Sequence, residues 1–180
     1  MNGTRWINAL RRFVPLSTPN RSPVYTEMRR AMLDLAHPDR PTNLAPIGQN
    51  LLAVLVEIPG DGRHRSTLVC VSDGTTSLYH SKGAPVIRAG EIPTVRTLAR
   101  ELLEIAAGAS RHDQDQWSRI RRKRLDTRFD FVTTEGVVTG YGDMDRPTEE
   151  TAFLRLVHVC AQKVITEIRV TGTRRTTTSG

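Results

Sequence analysis

Long hydrophobic runs are missing from this sequence. No stretch reaches the roughly 18 uncharged apolar residues that cross a bilayer as a helix, and the longest, Leu51 to Ile58, is only strand length. A transmembrane segment is therefore not expected. Cysteine is equally scarce: Cys70 and Cys160 are the only two, each inside an apolar run. Buried thiols in a reducing compartment account for them better than a disulfide framework does. The N-terminus lacks the uninterrupted apolar region and small-residue cleavage site of a signal peptide, because Arg5, Arg11 and Arg12 interrupt it. A cytoplasmic location is the expectation.

Catalytic signatures are also missing. No Gly-x-Ser-x-Gly turn, Gly-Lys-Ser/Thr loop or Gly-x-Gly-x-x-Gly motif occurs, which removes the usual cradles for a nucleophile, a nucleoside triphosphate or a dinucleotide. His37, His64, His80, His112 and His158 are scattered singly, with no Cys or His at zinc-ligand spacing. His80 lies among Tyr79, Ser81 and Lys82 and reads as an ordinary sheet histidine. Asp143 and Asp145 form an Asp-x-Asp pair that would suit Mg²⁺, but a turn followed by a helix cap accounts for both. The expectation is a non-enzymatic chain with no cofactor and no metal.

What is present fits one α+β domain. At 180 residues and 38% hydrophobic content, the chain is long enough for a single well-buried core. LLAVLVEI at 51–58 is nearly continuous in apolar residues, as a strand covered on both faces requires, and Pro59-Gly60-Asp61-Gly62 ends it. Residues 66–71 and 76–81, joined by Ser72-Asp73-Gly74-Thr75, complete a three-strand meander. The stretch 82–90, bounded by glycine and broken by Pro85, reads as an edge strand or extended loop.

Two longer helices flank a second pair of strands. From Pro93, the residues Val95, Leu98, Leu102, Ile105, Ala106 and Ala109 recur at the spacing of one buried helix face. Residues 127–134 and 137–141 form a hairpin about Glu135-Gly136. A long helix then runs from Phe153 to Ile168, capped by Asp143 or Asp145 with Pro147 in its first turn. Phe153, Leu154, Val157, Cys160, Ala161, Val164, Ile165 and Ile168 give it so broad an apolar stripe that contacts on more than one side are expected. A shorter helix, 25–36, presents Met28, Met32 and Leu35 on one face. The organisation is thus a basic N-terminal arm over 1–23, an α+β domain over 24–170 with a charged linker or solvent-facing helical extension at 110–126, and a polar, disordered tail over 171–180.

Helix, three strands, helix, two strands, long helix: across residues 24–170 this order resembles the profilin-like folds, roadblock and longin domains most nearly, with an antiparallel sheet of about five strands carrying helices on its faces. The segment Ser72-Asp73-Gly74-Thr75-Thr76-Ser77-Leu78-Tyr79 is similar to one in uncharacterised bacterial proteins of this size. The first resemblance implies a dimerising scaffold or an adaptor within a larger assembly.

Charge marks the candidate contact surfaces. The net charge of +7 is concentrated at +4 in residues 1–50 and +4 in residues 111–128, while 51–110 is neutral and 129–180 carries −1. In the N-terminal arm, Trp6, Ile7, Leu10 and Phe13 fall at helical spacing among arginines, an amphipathic segment suited to a protein partner's groove. In the second basic segment, Arg119, Arg121, Arg122, Lys123 and Arg124 follow Trp117. Such a run would contact phosphates while Trp117 stacks on a base, or would dock onto an acidic protein. The leading expectation is a protein-interaction or scaffold module, pairing with itself as a homodimer or with another protein. Nucleic-acid binding through 117–128 is the alternative.

Overall fold

Strand β1 (Leu51–Pro59) is buried from Leu51 to Glu57, so its backbone pairs on both edges. It lies antiparallel to β2 (Arg65–Val71) on one side and to β4 (Thr127–Thr133) on the other. Strand β3 (Thr76–His80) pairs with β2, and β5 (Gly136–Gly142) pairs with β4, giving one five-stranded antiparallel sheet in the order β3-β2-β1-β4-β5. The computed structural model describes residues 23–37, 42–60, 64–81, 84–109, 111–120, 123 and 125–177. The α+β class and the central position of the first strand agree with the pattern in the sequence.

Helices cover both faces. On one, α1 (Pro23–Leu33), extended by a short 3-10 turn at Asp34–Ala36, buries Tyr25, Met28 and Met32 against Leu52, Ala53, Leu55, Val69, Val71, Tyr79 and Val132. Each buried methionine contributes about 1.5–3 kcal/mol of transfer free energy. Polar groups pin the same helix. The Tyr25 hydroxyl donates to Glu57 Oε2 at 2.5 Å, and Arg29 pairs with Asp130, which also accepts from Arg128 Nε at 2.9 Å and Thr139 Oγ1 at 2.7 Å. Glu57 and Asp130 are buried, and each is compensated by a guanidinium, Arg65 for Glu57 and both Arg29 and Arg128 for Asp130.

The other face carries α2 (Pro93–Ala106), α3 (Arg111–Arg119) and α4 (Ala152–Thr177), packed on Val54, Val56, Leu68, Cys70, Leu78, Phe129 and Phe131. Helix α2 starts at Pro93 as expected, but it buries Val95, Ala99, Leu102, Leu103 and Ala106, leaving Leu98 and Ile105 only partly buried. The buried face is therefore turned from the expected one. Its short lead-in (Ala89–Glu91) slides under the β2–β3 turn, where only a glycine fits: a Cβ on Gly90 would lie 2.1 Å from the Gly74 carbonyl oxygen.

Three sequence-based expectations need correction. Residues 111–119 are helical rather than linker, and the helix is not simply solvent-facing, because Trp117 draws α3 onto the core while Asp115 stays exposed. The cap of the last helix is not Asp143 or Asp145. Asp143 instead accepts from the backbone N–H of Asp145 (3.0 Å) and Arg146 (3.3 Å) in a turn. Thr148 forms a reciprocal capping box with Thr151, and the leading turn Glu149–Thr151 runs into α4. Pro147 therefore precedes the helix. The helix also continues past Thr171, whose hydroxyl bonds back to the Glu167 carbonyl at 2.7 Å, as far as Thr177.

Candidate interaction surface

A 26-residue helix closing a domain ordinarily turns charged residues to solvent. Helix α4 does not. Its inward face buries Leu154, Val157, Ala161, Val164, Ile165 and Ile168. Its outward face carries Leu156 at 49% exposure, Val159 at 38% and Val170 at 40%, with Lys163 and Thr166 exposed between them. These five positions follow the alternating three- and four-residue spacing of a coiled-coil seam.

Beside this stripe runs an open groove of about 570 Å³, lined by Leu98 of α2 and by Arg155, His158, Val159, Gln162, Lys163, Thr166 and Glu167 of α4. Thr94 Oγ1 donates to Glu167 Oε1 at 2.7 Å and ties the two helices together at one end. His158 is buried at the groove's base. Its burial, and then the charge of Arg155, push its pKa below the usual imidazole value, against the opposing pull of Asp145. The groove therefore sets Arg155, Lys163 and Glu167 around a neutral ring at neutral pH, with Val159 and Leu98 as its apolar lining.

The residues singled out in the sequence are distributed differently. Trp117 is fully buried, its ring stacked on Phe131 at 5.1 Å and on Phe153 at 5.7 Å between centroids. It is a core residue, so the expectation that it stacks on a nucleic-acid base is corrected. Lys123 is exposed, and its backbone N–H donates to Asp126 Oδ2 at 2.6 Å. Arg119 ends α3, and its side chain, like Arg121, Arg122 and Arg124 as a whole, lies outside the described residues. So do Trp6, Ile7, Leu10 and Phe13 of the N-terminal arm.

No protein-family model, curated protein or solved structure matches this chain.

His80 Nδ1 lies 2.9 Å from the Ser66 hydroxyl on the neighbouring strand, the placement of a cross-strand pair within the sheet. Among the described residues, no three His, Cys, Asp or Glu side chains gather at metal-binding distance, and no helix is long and apolar enough to cross a membrane. The outward stripe of α4 is hard to see in the sequence because its inner residues already explain a broad apolar pattern. The signal was there, in the heptad spacing of Leu156, Val159 and Val170 on the opposite side.

Proposed function

We propose that this chain is a non-enzymatic protein-interaction module whose contact surface is the outward face of α4. One observation carries the reading: the helix that closes the domain exposes apolar residues on its solvent side as well as burying them on its core side, with Leu156, Val159 and Val170 aligned in a single seam that Lys163 and Thr166 interrupt. Scattered exposed apolar residues are ordinary on a protein surface. A line of them at coiled-coil spacing beside a groove is the pattern of a helix that packs on another chain. The resemblance in element order to roadblock and longin domains, which act as dimerising scaffolds, supports the same role by analogy.

The nucleic-acid alternative loses its stacking residue now that Trp117 belongs to the core. The test is association measured by light scattering and by capture from the source cells, comparing the native chain with Val159→Glu. Association with any protein that the variant abolishes, at an unchanged melting temperature, supports the reading. Association that persists in the variant, or none with either protein, overturns it.

A further inference from the structure

We infer that the occupant of this face is a second copy of the chain, laid antiparallel along α4 about a two-fold axis between Lys163 and Thr166. The inference rests on the interaction role proposed above and names its partner. A two-fold interface must be self-complementary, each patch meeting the same patch reversed. Four of the five seam positions meet this requirement: Val159 and Val170 stand at equal distances on either side of the Lys163–Thr166 midpoint, so the order apolar, polar, polar, apolar over 159–170 reads the same in both directions, with Leu156 outside the symmetric stretch. Reversal sets Val159 against Val170 of the second copy and Lys163 against Thr166 of the second copy.

Charge selects the direction. Parallel packing in register would set the two Lys163 ammonium groups opposite one another, and like charges at facing positions are destabilising. In the antiparallel register, Lys163 stands within one residue's rise of the second copy's Glu167, so the polar middle of the seam forms two symmetric pairs of opposite sign. Leu98 and the groove beside Val159 widen the contact on each copy, and the valine-to-valine layers lie about 16 Å apart along the helix. Because the operation is a two-fold, it closes at a dimer and leaves no free seam for filament growth.

Paired cysteines test the register. The double variant Val159→Cys with Val170→Cys should cross-link to a dimer on mild oxidation. Val159→Cys alone should not, because the two copies of position 159 lie about 16 Å apart, beyond the roughly 7 Å that a disulfide spans between Cα atoms. Cys70 and Cys160 are buried, so the native chain serves as the uncross-linked control. In parallel, Lys163→Glu should weaken the dimer by about tenfold or more, and the swap Lys163→Glu with Glu167→Lys should recover it. Cross-linking of the single variant as efficient as that of the double, or a native chain monomeric by light scattering at high micromolar concentration, overturns the inference. A monomeric chain that still captures a different protein in a Val159-dependent way sinks the dimer while leaving the interaction role standing.

Discussion

The Tyr25 hydroxyl meets the Glu57 carboxylate at 2.5 Å, tying the first described helix to the central strand across the sheet face. Thr67 Oγ1 donates to the same phenol oxygen at 3.3 Å. Burial, and then the Glu57 charge, push the Tyr25 pKa up, so the phenol stays protonated and donating well into the alkaline range. Tyr25→Phe should lower stability by about 1–3 kcal/mol, since Glu57 then loses a donor inside the protein. Urea denaturation measures it, and an unchanged midpoint would show the bond contributes nothing.

Asp130 is the more sensitive end of the same network. It is fully buried and answers two guanidiniums, so Asp130→Ala leaves Arg29 and Arg128 without their shared counter-charge. The expected loss is about 3–5 kcal/mol, the cost of stranding buried charge. Thr139→Val, which removes only one donor to Asp130, should cost about 1–2 kcal/mol. Equal losses in the two variants would argue that the charges are solvated.

Gly90 has no room for a side chain. The obstacle is backbone, the Gly74 carbonyl, so Gly90→Ala should force the β2–β3 turn away from the lead-in to α2 and destabilise the chain by about 2–4 kcal/mol. At this size that corresponds to a drop of several degrees in melting temperature, at about 2–4 °C per kcal/mol. At Gly136, the φ of 141° sits in open space with nothing near the added methyl, so Gly136→Ala should cost less, through backbone strain alone. A calorimetric scan that ranks the two the other way would contradict the packing.

Two histidines make stability depend on pH in a fixed direction. Burial lowers the pKa of His158 and of His80, with Arg155 adding to the first and Arg169 to the second. The unfolded chain therefore takes up protons at a higher pH than the folded chain does. Stability is fully present above the ordinary imidazole pKa of 6.5 and falls as pH drops through it. Urea midpoints at about pH 7.5 and about pH 5.5 should differ in the native chain and draw together in His158→Gln. A midpoint that rises on acidification would reverse the sign and refute the assignment.

Much of this fold could be read before the structure, and the exceptions have physical causes. The central strand was legible because a segment covered on both faces needs apolar residues at every position, and 51–58 has them in all but one. The place of Trp117 is not legible, because its sequence neighbours are charged or polar while its contacts, Phe131 and Phe153, are distant along the chain. The cap of α4 is ambiguous in sequence because Asp143, Asp145 and Thr148 all suit an N-terminus, and only the geometry of the Asp143 turn decides among them. The extent of α2 is legible but its orientation is not, since Leu98 and Ala99 differ by one helical step and the smaller residue is the buried one.

Strand β1 hydrogen-bonds to β2, the next strand in the chain, and to β4, which the chain reaches only after a further strand and two helices. A nascent chain emerging from the ribosome completes the meander early, yet one whole edge of its most apolar strand stays open until residue 133 has been made. That interval is when an unfinished copy is most prone to pair with the wrong neighbour, and closing the long loop sets the pace of folding. Slowing translation between residues 60 and 127 should therefore raise the aggregated fraction in cells.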